Sequence, residues 1–133
     1  MSLSDMSLLE GATITPSGGT ALVFDSMGTS EYKNTLFVPA DTDLRTQRRI
    51  VCTAKWPKVQ SSAPNGYTQA RANAVIKIPL ELDNGAITYN TIVIGFNTDV
   101  ETSSAEKDAM LLLGAQVFTD SDFTGFLKNL SVK

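Results

Sequence analysis

The chain has 133 residues, 42% of them hydrophobic and 19% charged, which is the size and makeup of one globular domain and excludes a disordered tail. Fourteen acids against eleven bases give a net charge of −3, and that total by itself argues against a nucleic-acid partner. Histidine is absent and Cys52 is the only cysteine, which excludes His-based catalysis, the commonest zinc sites and an internal disulfide.

Met1 to Glu10 carries two acids and no base, so the positive flank of a secretory signal is missing. No run of 18 apolar residues occurs, so no membrane partner is expected. The default compartment is the cytoplasm. Ala12 to Thr15 and Thr20 to Phe24 are short β-prone runs around Pro16-Ser17-Gly18-Gly19, which predicts an N-terminal β-hairpin with a four-residue loop. Asp25 to Ser30 is expected as a loop, and Tyr32 to Val38 as a third strand stopped by Pro39.

From Arg45 to Trp56 the residues Ile50, Cys52, Ala54 and Trp56 alternate with Arg49, Val51, Thr53 and Lys55. A period of two puts the first set on a core face and the second on a polar, basic face. After a Ser-, Pro- and Asn-rich loop from Pro57 to Gly66, the run from Tyr67 to Pro79 repeats the pattern. Ala70, Ala72, Ala74, Ile76 and Ile78 share one side, and Gln69, Arg71, Asn73, Val75 and Lys77 the other. Asp83-Asn84-Gly85 is a hairpin turn signal. Ile87 to Asn97 is a last long strand, with Ile92, Ile94 and Phe96 to the core and Tyr89, Thr91 and Val93 opposite.

Ser103-Ser104-Ala105-Glu106 has capping-box spacing and opens a helix running to about Phe118. Met110 to Leu113 is apolar over more than half the helix circumference. Such a helix is covered on more than one side, either by a second chain or by its own sheet and a second helix. Phe123, Phe126, Leu127 and Leu130 fall at i, i+3, i+4 and i+7, which predicts a short closing helix. The whole chain, 1–133, is therefore read as one α+β domain: a hairpin, an antiparallel sheet and two C-terminal helices.

The order of charges changes the meaning of the total. Arg45, Arg48, Arg49, Lys55, Lys58, Arg71 and Lys77 lie in a stretch from Leu44 to Leu80 that holds no acid. Cations attract phosphates, while Asn, Gln and Thr reach base edges and Tyr89 offers a stacking surface. The expected partner is single-stranded or hairpin RNA. No phosphate-cradling, nucleophile-elbow or dinucleotide motif is present. The carboxylate pairs Asp41 with Asp43, Asp99 with Glu101 and Asp120 with Asp122 suit turns and helix starts better than acid–base work. No enzyme activity, catalytic residue, metal or cofactor is expected.

This order of elements resembles the coat proteins of the single-stranded RNA bacteriophages, the leviviruses. Arg48-Arg49-Ile50-Val51-Cys52-Thr53-Ala54-Lys55 is similar to the family strand in which a basic residue, small polar residues and a cysteine alternate. Gly66-Tyr67-Thr68-Gln69-Ala70-Arg71, the strand ending at Pro79 and the Asp-Asn-Gly turn are similar to more divergent, environmental members. So is Gly114-Ala115-Gln116 followed by Thr119-Asp120-Ser121-Asp122. The resemblance implies an obligate, intertwined homodimer whose two five-stranded sheets join edge to edge and whose helices cross over the partner's sheet. It implies an icosahedral capsid located in the virion and made in the bacterial host's cytoplasm, with the sheet face lining the interior against RNA. In studied members that face also binds an RNA hairpin and represses replicase translation. Carried over by position, the RNA-facing residues are Arg49, Thr53, Lys55, Arg71, Asn73, Lys77, Tyr89 and Thr91. Val51 and Val75 are apolar where members often place a hydrogen-bonding or cationic residue, and the loop from Leu82 to Ala86 is shorter than the family's. The alternative is a non-viral RNA-binding module that uses the same face, with no small-molecule substrate in either case.

Overall fold

The computed structural model describes residues 6–14 and 16–132. It contains five strands, β1 (Asp25–Ser30), β2 (Lys33–Phe37), β3 (Arg49–Lys55), β4 (Ala70–Glu81) and β5 (Ile87–Thr98). Two helices follow, α1 (Ser104–Thr119) and α2 (Thr124–Asn129), with a 3-10 turn at Ser121–Phe123 between them. The chain divides into two compact units: Thr20–Val100, and the N-terminal segment to Gly19 together with the chain from Glu101 onward.

The first unit is one antiparallel sheet in the order β1-β2-β3-β4-β5. Sequence neighbours are sheet neighbours throughout, so every connection is local. The expected hairpin is displaced along the chain. Residues 12–14 and 20–24 form no strand, while Thr15 lies outside the described residues. The hairpin is β1–β2 instead, so Asp25 to Ser30, expected as a loop, is a strand. Strand propensity is weak there, but pairing with β2 overrides it. Gly28, at φ 128°, accommodates an irregularity between Ser26 and Thr29. Ser26 Oγ also donates to Asn34 Oδ1 at 2.7 Å.

Residues 38–48 connect β2 to β3 and form a tightly bonded loop. Val38 is fully buried, the one apolar side chain of the described residues that is. Its N–H donates to the Arg48 carbonyl at 3.2 Å. Buried Gln47 donates from Nε2 to the Asp41 carbonyl at 3.2 Å. Arg48 closes the loop on the Asp41 carboxylate: Nε to Oδ2 at 2.9 Å, Nη2 to Oδ1 at 3.1 Å, and its N–H to Oδ2 at 3.0 Å.

The Arg48 side chain, and then its N–H, hold the Asp41 carboxyl below the ordinary value of 3.8. The folded state therefore takes up this proton less readily than the unfolded chain. The associated stability is complete above 3.8 and is lost as pH falls through the lower, folded value. Urea midpoints measured across acidic pH are expected to fall in this range, and Asp41→Asn is expected to flatten part of that fall.

β4 runs two residues past the expected stop at Pro79. Its pairing with β3 ends at Lys77, opposite Arg49. Pro79 therefore lies where no third strand asks for an N–H. The β4–β5 turn forms as expected. Gly85 takes φ 83°, its N–H donates to the Leu82 carbonyl at 2.9 Å, and Leu82 N–H donates to Ala86 at 2.8 Å. Trp56, expected on the core face, lies one residue past the end of β3 and is 68% exposed.

In the second unit α1 begins as the capping pattern predicts. The Ser103 hydroxyl accepts from the Glu106 N–H at 3.2 Å and donates to Glu106 Oε1 at 3.0 Å. Buried Gln116 acts as a surrogate peptide group. Its Oε1 accepts from the Leu9 N–H, and its Nε2 donates to the Leu9 carbonyl, both at 2.8 Å. This satisfies backbone in a segment that has no strand partner. α2 ends at Leu130, whose φ of 58° is left-handed without being glycine. The Leu130 and Ser131 N–H groups cap it on Phe126 and Gly125.

Candidate functional site

Register decides which side chains share a face. Residues directly opposite one another across antiparallel strands point the same way, and this alternates along each strand. One row across the sheet is Phe37, Arg49, Lys77 and Thr91. The next is Thr35, Val51, Val75 and Val93, followed by Lys33, Thr53, Asn73 and Gly95. Lys55, Arg71 and Asn97 form the last row, and Tyr89 joins the same face opposite Pro79. All eight residues singled out from the sequence therefore lie on one face: Arg49, Thr53, Lys55, Arg71, Asn73, Lys77, Tyr89 and Thr91. Seven are exposed, and Arg49 is half-buried, with Nη2 donating to Gln47 Oε1 at 3.4 Å.

The cations are grouped near two ends of the face. Arg49 and Lys77 sit at one end, and Lys55 with Arg71 at the other. Lys55 lies six positions along β3 from Arg49, on the order of 20 Å. Between them run the valine row and the row of Thr53 and Asn73. Gly95 leaves space for the Asn73 side chain, since a Cβ there would come within 3.3 Å of Asn73 Oδ1. Among the described residues, none of Arg49, Lys55, Arg71 and Lys77 has a carboxylate within ion-pair distance.

Two corrections apply to the charge reading. Arg45 pairs with Asp43 at 3.4 Å and Arg48 with Asp41 at 2.9 Å, so two of the seven cations are matched by acids just before the acid-free stretch. Lys58 lies in the β3–β4 loop, where its N–H donates to Thr68 Oγ1 at 2.8 Å. Conversely, the face gains Lys33, opposite Thr53 on β2. The alternation Lys33, Thr35, Phe37 carried that signal, but only pairing with β3 fixes its side. The acids on this face, Asp25 and Glu81, sit on the edge strand β1 and at the end of β4.

The opposite face carries Leu36, Ile50, Ile76 and Ile92 in one row and Asn34, Cys52, Ala74 and Ile94 in the next. Ile92 and Ile94 are 39% and 43% exposed. Met110, Leu111 and Phe118 of α1 are exposed as well. Among the described residues, no group of three or more His, Cys, Asp or Glu side chains is placed to hold a metal ion. No described helix is long and apolar enough to cross a membrane.

No protein-family model matches the chain, and no curated protein does. Among solved structures, a chain of the virus-like particle of bacteriophage GQ-907 matches with a TM-score of 0.89 and 28% sequence identity. The match covers 99% of this chain and 100% of the other. The fold is that of a phage capsid protein. The resemblance to a phage coat protein drawn from the sequence is borne out, as are the antiparallel sheet and the two C-terminal helices. The shared capsid fold extends over the polar sheet face, the β4–β5 turn and both helices alike.

Proposed function

We propose that this chain is the structural capsid subunit of a single-stranded RNA bacteriophage. It acts as one coat-protein domain, dimerises, assembles into a closed icosahedral shell located in the virion, and holds RNA against its basic sheet face. It performs no catalysis. The observation that carries this reading is the full-length match to a chain of a phage virus-like particle.

Burial supports the dimer. A stable domain removes most large apolar side chains from water, yet here Val38 alone is fully buried among the described apolar residues. Exposed Ile92 and Ile94 on the sheet, and exposed Met110, Leu111 and Phe118 on α1, each offer apolar area that a second copy can cover. The opposite face supports RNA as the cargo. Arg49, Lys55, Arg71 and Lys77 neutralise phosphates, Thr53, Asn73 and Thr91 offer hydrogen bonds, and Tyr89 stacks on an unpaired base. Lys33 joins the cations.

The test is to express the chain and image the purified product by electron microscopy. Closed particles with co-purifying nucleic acid that ribonuclease degrades after disassembly support the proposal. RNA binding without particles marks the chain as a binding module instead.

A further inference from the structure

We infer that Tyr67 is a second stacking platform for a base of single-stranded RNA, carried on an extension of the polar face beyond Lys55 and Arg71. This rests on the proposed RNA face and adds a contact at its far end. The β3–β4 ladder ends at Lys55 opposite Arg71, but the chain beyond it does not open into a free loop. Val59 bridges Tyr67 in antiparallel fashion. Three residues separate Lys55 from Val59 and three separate Tyr67 from Arg71, so the bridge keeps the register of the ladder. The Thr68 N–H donates to the Lys58 carbonyl and the Gln60 N–H to the Gly66 carbonyl, both at 2.8 Å.

Register settles which side these residues take. Pro57, Val59, Tyr67 and Gln69 have the parity of Lys55 and Arg71 and continue the polar face. Trp56, Lys58 and Thr68 have the opposite parity. Tyr67 lies four positions from Arg71, on the order of 13 Å. It is 46% exposed, and Val59 opposite it is 80% exposed. At the other end of the face Tyr89, opposite Pro79, lies just beyond Lys77. Each cationic pair therefore has an exposed tyrosine on its outer side.

Asn65 holds this platform in place. Its Oδ1 accepts from the Tyr67 N–H at 3.1 Å, and its Nδ2 donates to Asp99 Oδ1 at 2.6 Å. The tip of the hairpin is thereby tied to the residue that follows β5. A platform fixed before binding costs little ordering when a ligand arrives. Asp99 also brings a carboxylate to this end, which disfavours one more phosphate contact there. An exposed ring beside a valine suits the face of an unpaired base instead. The flanking phosphates fall to Lys55 and Arg71, which have no carboxylate within ion-pair distance among the described residues.

The test is filter binding of the full chain, kept dilute so that it stays unassembled, to an oligouridylate long enough to cover the whole face. Tyr67→Ala is expected to weaken binding by about fivefold to 150-fold, the loss of one base–aromatic stack. The log–log salt slope is expected to stay unchanged, because no phosphate contact is removed. Tyr67→Phe keeps the ring and is expected to bind within about twofold of the parent. Trp56→Ala removes an exposed aromatic of the opposite parity at the same end and is expected to change nothing. Asn65→Ala is expected to weaken binding in the parent and to have no further effect in Tyr67→Ala, and equal losses in both overturn its positioning role. Unchanged affinity in Tyr67→Ala, an equal loss in Tyr67→Phe or a lowered salt slope overturns the Tyr67 platform and leaves the RNA face standing. A parent chain that does not retain the oligouridylate overturns both. If Tyr67→Ala fails to fold, photo-cross-linking of the parent to bromouridine-substituted RNA is expected to modify Tyr67. Adducts elsewhere on the face without one at Tyr67 overturn the platform.

Discussion

Exchange of Arg49, Lys55, Arg71 and Lys77 for glutamate is expected to leave assembly intact and abolish RNA retention. Removing one cation that neutralises a phosphate of a single strand lowers the log–log salt slope by about 0.7, so removing four lowers it by about 3. The four carboxylates then repel the phosphates that remain. Affinity at physiological salt is expected to fall by about two orders of magnitude or more. Filter binding across a salt series, with particle formation followed by light scattering, reads both effects. The four side chains face away from the Ile50, Ile76 and Ile92 row, which is why stability is expected to change little. Loss of both particles and folding contradicts the division of labour between the two faces.

The second large effect is expected one face over. Ile76→Asp puts a carboxylate in the middle of the row Ile50, Ile76, Ile92. The proposed dimer covers this row. An unpaired charge there costs about 3–5 kcal/mol, besides the forfeited burial of isoleucine, about 1.5–3 kcal/mol. A domain with about 5–15 kcal/mol of stability loses most of it. Asn73→Asp adds the same charge three residues away on the polar face and is expected to weaken RNA binding while particles still form. Denaturation midpoints and electron microscopy of the two variants compare the faces directly. Equal damage from both contradicts the reading.

Much of this arrangement was legible in the sequence because long strands with strict alternation can be read without knowing their partners. Arg49 to Lys55 and Ala70 to Lys77 each fix a face by period alone. The Asp83-Asn84-Gly85 turn fixes the β4–β5 register and so places Tyr89 and Thr91 with Lys77. The Ser103 cap is similarly local. What was not legible depends on tertiary pairing. Asp25 to Ser30 has the composition of a loop and becomes a strand only because β2 lies beside it. The apolar run from Thr20 to Phe24 finds no strand partner. Lys33 joins the cationic face through the register of β2 on β3, which no local pattern states. Arg45 and Arg48 look like free cations in the sequence, and the fold pairs them with Asp43 and Asp41, a few residues upstream. Gln116 looks like one more position on a helix face, and its role as a surrogate peptide for Leu9 needs contact across the length of the chain.

In the proposed function the chain assembles with copies of itself and encloses RNA. Electron microscopy of the purified chain, with the 260 to 280 nm absorbance ratio of the same fraction, tests it most directly. Closed shells that carry ribonuclease-sensitive RNA once opened are the expected result. Monomers at high protein concentration, with no shells and no nucleic acid, contradict it.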